Sequence, residues 1–197
     1  MTVDTEVLRA AIRDTYTDVS AAHDQEFIFP TGRSWAQELR YPEPELARVP
    51  EATVASFAGV ANHWLLGRVA QGATVLDLGC GAGTDLLIAA QMAGSSGHAI
   101  GVDMTAAMLD RARASAAELG LANVELHESL IESLPLANAS VDIVISNGVI
   151  DLVPDKDAVF DEIDRVLRPG GRLQVADVVI HTEVSEDARD RIDLWTG

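Results

Sequence analysis

The sequence predicts an α/β fold of the doubly wound type, with a mainly parallel sheet between layers of helices and a helical cap at the N-terminus. Three observations predict it. From about residue 73 onward, short apolar strands alternate with amphipathic helices, a rhythm that calls for parallel pairing through right-handed crossovers. The strands are nearly continuous apolar runs, as expected where helices cover both faces. A glycine-rich turn, Gly79-Cys80-Gly81-Ala82-Gly83, closes the first strand and opens the first helix of that series.

In chain order, residues 1–70 read as a helical cap or lid and 71–197 as the core. The cap carries Trp35, Tyr41, Trp64 and several prolines but no strand–helix rhythm, and Tyr16 follows an amphipathic helix. Thr74 to Leu78 is the first core strand, and a helix runs from about Gly83 to Met92. His98 to Val102 is the second strand, ended by Asp103. Thr105 is positioned to cap the next helix, whose Met108, Leu109, Ala112, Ala116 and Leu119 share one face. Asn123 to His127 is a third strand and Val141 to Ser146 a fourth. Asp155 to Leu167 is a helix. Pro169-Gly170-Gly171 breaks the chain, Arg172 to Val179 is a fifth strand, and Ser185 starts a last helix reaching Trp195.

Charge narrows the partners. The chain has 197 residues, 31 acidic and 14 basic side chains and a formal net charge of −17. Lys156 is its only lysine and no basic cluster forms, so nucleic acid and anionic membrane surfaces are not expected partners. No apolar run reaches the roughly 18 residues of a membrane span. The N-terminus has no basic-then-apolar signal pattern. Cys80 is the only cysteine, so neither an intrachain disulfide nor a thiolate metal cluster can form. A cytoplasmic setting fits best.

The chemistry concentrates at strand ends. Glycines at 79, 81 and 83 let the chain turn sharply and let a ligand approach the backbone, beside a helix N-terminus whose amides face it. A dinucleotide dehydrogenase places G-x-G-x-x-G here for a pyrophosphate. The spacing in this chain is G-x-G-x-G, with Asp77 two residues before the first glycine. That acid repels a pyrophosphate and suits an ammonium or a sulfonium. Asp103 follows 20 residues after Gly83, where a carboxylate can accept both hydroxyls of a ribose. Each signal alone is weak, since a strand-ending acid is often a solvated loop residue. Together, on consecutive strands, they are specific.

Residues 73–180 resemble the class I S-adenosylmethionine-dependent methyltransferases, whose core is Rossmann-like. The resemblance rests on Val75 to Thr84, on Gly101-Val102-Asp103, on Glu132-Ser133-Leu134-Pro135, on Val141 to Asn147, and on Arg165 to Leu173 with its Arg-Pro-Gly-Gly turn. It implies S-adenosylmethionine as cofactor and a small-molecule methyl acceptor. It also implies roles. The loop of Gly79, Cys80, Gly81 and Gly83 packs on the methionyl and ribose portion. Asp77 neutralises the methionine ammonium, and Asp103 holds the ribose with Met104 against the adenine. Leu130 and Ile131 meet the adenine edge and face. Many relatives have an aspartate where Leu130 stands, which leaves Glu132 to accept from the adenine amino group. Asn147 lines the methyl-transfer mouth.

The cap layout and Ile100 to Thr105 resemble the arsenite methyltransferase-like branch, whose N-terminal segments fold over the cofactor; Tyr16 and Arg33 are then lid residues, or else ordinary packing and surface charge. Bland readings stand beside others too. Cys80 is a small apolar filler, Asp142 is structural, and Met104 and Met108 are core. His98, His127 and His181 lack metal-ligand spacing, and Asp151, Asp155 and Asp157 mark a loop and a helix start. No general base is evident.

Two departures from that branch matter. Arsenite methyltransferases hold arsenite on several cysteine thiolates, and one of these follows the Ser-Asn of the fourth strand. Here Gly148 occupies that position, so a trithiolate site cannot be built within the chain. Class I enzymes also have seven strands, and the last two are expected to be missing, since the sequence stops at Trp195-Thr196-Gly197. An excised fragment, a short paralogue, or a frame continuing through a UGA codon read as selenocysteine are the open readings. With no hairpin beside it, strand five is expected to be an apolar edge covered by another segment or by a second copy, as in a homodimer. An incomplete or inactive cofactor-binding module of the same fold is the alternative function.

Overall fold

The computed structural model describes residues 4–21, 30–179 and 181. The N-terminal part is helical. Helix α1 spans Thr5–Ala21, and three short helices follow, α2 (Gly32–Glu38), α3 (Glu43–Leu46) and α4 (Glu51–Val54), with a 3-10 turn at His63–Leu66. The core then runs β1 (Thr74–Leu78), α5 (Thr84–Ala93), β2 (His98–Asp103), α6 (Ala106–Glu118), β3 (Val124–Glu128), β4 (Val141–Asn147), α7 (Lys156–Val166) and β5 (Leu167–Ala176).

The strands form a five-stranded sheet in the order β3-β2-β1-β4-β5, and every pairing is parallel. The strand order reverses between β1 and β4. In open parallel sheets a crevice forms at the carboxyl ends of the strands flanking such a switch point, so topology already fixes where a ligand can enter.

Side-chain alternation along each strand builds two cores. Val75, Ile143 and Ile145 face α5 and residues of the N-terminal part, including Leu46, Val54 and Trp64. Leu76, Leu78 and Val144 face the other way, against Val159, Ile163 and Val166 of α7. Helix α5 therefore lies between the sheet and the 30–69 segment, which explains why Leu86, Leu87, Ile88, Ala89 and Ala90 are all buried in succession. A helix covered all round has no polar face to keep.

Helix starts are handled locally. The Asp155 carboxylate accepts the Ala158 amide at 3.0 Å and caps α7, a contact worth about 1 kcal/mol. Thr105 occupies the corresponding position of α6, but its hydroxyl makes no cap. The Asp103 carboxylate, two residues upstream, receives the Thr105 amide instead.

Strand five differs from its expected bounds. It starts at Leu167, paired with Val141, and resumes at Arg172 opposite Ile143 with an irregularity between. Arg168-Pro169-Gly170-Gly171 is thus an excursion within the strand rather than a break before it; Pro169 has no amide to give to a ladder. The strand ends at Ala176 because Asp177 turns in, its Oδ2 accepting the Ile150 amide at 3.0 Å. Val178 and Val179 lie beyond it and are exposed. Tyr16 lies within α1 rather than after it. The expected last helix, from Ser185 to Trp195, falls outside the described residues. No helix among the described residues is long and apolar enough to cross a membrane.

Candidate cofactor and acceptor cavity

The carboxyl ends of β1, β2 and β4 open into one cavity. The loop after β1 forms its floor. Gly79 has φ +64°, and a Cβ there would lie 2.5 Å from Val149 Cγ1, so only glycine allows the loop to pass under the segment after β4. The loop is fastened to β2 by two bonds. The Cys80 amide donates to the Val102 carbonyl at 3.0 Å, and the Gly81 amide donates to Asp103 Oδ2 at 2.9 Å.

Of the residues expected from the sequence, Asp77, Gly79, Cys80, Gly81, Asp103, Met104, Leu130, Ile131, Glu132, Asn147 and Tyr16 all line this cavity. Gly83 does not. It sits behind the loop as the N-cap of α5, where a Cβ would press on Ala112 at 3.0 Å. Arg33 is also elsewhere: it is not a cavity residue. Its guanidinium binds Glu51 and the carbonyls of Leu46 and Val49, so it holds α3 and α4 together.

Helix α1 closes the opposite wall. Tyr16 packs on Ala82 and Met108, and Arg9 Nη2 reaches Glu132 Oε1 at 3.0 Å. Glu132 is therefore already engaged by a guanidinium. Burial pushes the Tyr16 phenol up to about 12, with the charges of Asp151 and Asp103 adding to it. It stays a hydroxyl at neutral pH and cannot serve as a base.

The cavity is acidic. Asp77 is 3% exposed, and its Oδ2 has no hydrogen-bond partner. Burial, then the charges of Asp85 and Asp103, raises its carboxyl well above the usual range, while the Leu86 amide opposes this. Burial also raises Asp103, against the amides of Thr105 and Gly81. Cys80 is a buried free thiol, pushed well up by burial and by the neighbouring carboxylates, and so is not a thiolate nucleophile.

Asn147 lines the cavity, yet its amide is committed. Its Oδ1 accepts the Val60 amide at 2.8 Å, and its Nδ2 donates to the Tyr41 hydroxyl at 2.6 Å and the Ala61 carbonyl at 3.0 Å. It ties the 58–61 strap over the end of β4. Asp85, Phe57, Ile12 and Arg9 also line the cavity and were not singled out from sequence. An acid in the first turn of a helix reads as a response to the helix dipole, which hides Asp85. Ile12 and Arg9 sit in a segment without a recognisable motif, and Phe57 in the 56–62 stretch of the cap, whose layout carries a resemblance but no residue role.

Asp142 accepts the Thr74 amide at 2.8 Å and pairs with Arg168. His98 and His127 both contact Glu125 on the surface of β3, and His181 is exposed.

Comparison with known proteins accords with this geometry. The chain is 42% identical over 167 residues to the arsenite methyltransferase of Halobacterium salinarum, covering 85% of this chain and 42% of that protein. It is 36% identical over 168 residues to the arsenite methyltransferase of Rattus norvegicus, covering 79% and 44%. Among solved structures, the arsenic(III) S-adenosylmethionine methyltransferase of Chlamydomonas reinhardtii superposes with a TM-score of 0.68 at 36% identity, over 76% of this chain and 51% of that one. The chain spans less than half the length of the curated relatives it matches. Residues 70–196 match the family described as Methyltransferase domain, and the chain belongs to that family.

Proposed function

We propose that the chain binds S-adenosylmethionine in this cavity and takes part in methyl transfer to a small-molecule acceptor. The observation that carries the reading is the unpartnered Oδ2 of Asp77, buried in a cavity that also holds Asp85 and Asp103. Buried carboxylates of one sign are costly unless a cation meets them, and an acceptor without a donor calls for one. A ligand with an ammonium and a sulfonium meets both needs; a pyrophosphate meets neither.

The remaining residues fit the rest of that cofactor. The Asp103 oxygens receive the Gly81 and Thr105 amides, and a ribose hydroxyl is a further donor that a carboxylate can accept. Met104, Met108, Leu130 and Ile131 offer an apolar slot for the adenine. The cofactor supplies an electrophilic methyl group on a sulfonium. The protein supplies alignment and exclusion of water: Tyr16 and Ile12 of α1 cover the slot, and Phe57, Ala58 and Gly59 of the strap face Gly148 and Val149 across the acceptor end.

The relatives' name points to arsenite as acceptor. Within these residues the only thiol is Cys80, held protonated in the glycine loop by burial, and a Cβ built at Gly148, whose φ is +68°, would lie 3.0 Å from Val60 Cγ1. These residues therefore supply no thiolate cradle of their own. Incubation with methyl-labelled S-adenosylmethionine and a panel of small nucleophiles tests the reading: label in a small product supports it, and cofactor binding without any transfer favours the inactive-module alternative. A homodimer through the edge of β5 is part of the same proposal; static light scattering of a monodisperse monomer would remove it.

A further inference from the structure

We infer that Asp85 is a second anion of the subsite for the cofactor's α-ammonium group, and that Tyr41 and Trp64 hold it in place from the 30–69 segment. The inference rests on the cofactor reading above and assigns a residue and a substituent within it. Asp85 stands in the first turn of α5, is 7% exposed and lines the cavity. Trp64 Nε1 donates to its Oδ1 at 2.9 Å, the Tyr41 hydroxyl donates to its Oδ2 at 3.0 Å, and Asn147 Nδ2 lies 3.4 Å from the same Oδ2. All three are neutral donors. They satisfy lone pairs of the Asp85 side chain without bringing a positive charge, so a cation arriving in this buried site is favoured. His63 Nε2 is 3.3 Å from Oδ1, but neither of its ring nitrogens makes a hydrogen bond and it is not a cavity residue.

Asp77 supplies the independent observation. Its buried Oδ2 faces the same cavity without a donor, and the charge of Asp85 acts on it more strongly than that of Asp103. An orphan acceptor distinguishes the two cationic groups of the cofactor. A sulfonium has no hydrogen to donate, whereas an ammonium has three. The ammonium therefore belongs between Asp77 and Asp85, with Asp77 accepting a hydrogen bond and Asp85 adding charge from behind. Tyr41 and Trp64 link this subsite to a segment outside the sheet, so the segment acts as a positioning element for the cofactor's amino-acid end.

The test uses S-adenosylhomocysteine and its deaminated analogue, in which hydrogen replaces the amino group, titrated calorimetrically into the full chain. The wild-type chain is expected to prefer the amino form. Asp85→Asn should shrink that preference roughly tenfold, while the affinity of the deaminated analogue changes little. Tyr41→Phe, which leaves the carboxylate in place with one donor fewer, should shrink it in the same sense by a smaller factor, and it carries the test if Asp85→Asn does not fold. Equal losses for both ligands, or a preference unchanged in the variants, would overturn the inference and make Asp85 a structural residue. A wild-type chain that binds neither ligand would instead overturn the cofactor reading.

Discussion

Asp103 Oδ2 accepts the Gly81 amide at 2.9 Å, so the end of β2 holds the glycine loop that follows β1. One carboxylate thus shapes the loop and faces the cavity. Asp103→Ala is expected to weaken S-adenosylmethionine binding roughly ten- to hundredfold, since hydrogen bonds to a charged acceptor contribute about 1.5–3 kcal/mol. Calorimetric titration checks this, and an unchanged dissociation constant would detach Asp103 from the ligand.

Gly79 meets Val149 where the loop passes beneath the segment after β4. Gly79→Ala places a methyl 2.5 Å from Val149 Cγ1 at φ +64°. The left-handed conformation alone costs a non-glycine residue roughly 1–2 kcal/mol, and the overlap adds to it. Adding Val149→Ala should recover the steric part and leave the dihedral part. Urea unfolding of the two single variants and the double variant checks this; strictly additive losses would show that the two residues do not meet.

Burial raises the Asp151 carboxyl from 3.8 to about 7, with the neighbouring Asp177 carboxyl adding to the shift and Lys156 opposing it. A carboxyl whose folded-state pKa lies above its unfolded one contributes stability at low pH and loses it as pH rises through the folded value. The loss therefore falls between about pH 4 and pH 7. Asp151→Asn should melt close to wild type near pH 4 and above it at pH 8. Melting curves that stay parallel across this range would contradict the assignment.

Arsenite methylation by the 197-residue chain is expected to be inefficient, because Gly148 stands at the acceptor end and the one thiol, Cys80 in the glycine loop, is held protonated by burial. Mass spectrometry of arsenite reactions should find little mono- or dimethylated arsenic. Rapid formation of either would show that a thiolate cradle is dispensable.

Local signals in the sequence revealed most of the frame. The glycine loop, the acids ending β1 and β2 and the cap at Asp155 each depend on neighbours a few residues away, so spacing exposes them. The bounds of β5 were not legible, because Pro169-Gly170-Gly171 signals a break locally while Leu167 still pairs with Val141 across the sheet. Thr105 stands at the N-cap of α6 as its position in the sequence predicts, but whether its hydroxyl turns to the first-turn amides is a side-chain rotation that spacing does not record. The Tyr41–Asp85 bond joins residues 44 apart and the Arg9–Glu132 pair residues 123 apart; contacts at that separation come from packing of whole elements and leave no spacing pattern. The two readings of Arg33 stayed open for the same reason: an arginine near aromatic residues does not reveal that its partners are Glu51 and the carbonyls of Leu46 and Val49.

The central claim, that the acidic cavity receives S-adenosylmethionine, is tested most directly by a thermal-shift comparison of S-adenosylmethionine, S-adenosylhomocysteine and NADH. A ligand at a hundredfold excess over its dissociation constant stabilises a protein by about 2.7 kcal/mol, enough to raise the melting temperature by several degrees. Both methionine nucleosides should produce such a rise and NADH none. Stabilisation by NADH with no response to either nucleoside would contradict the account.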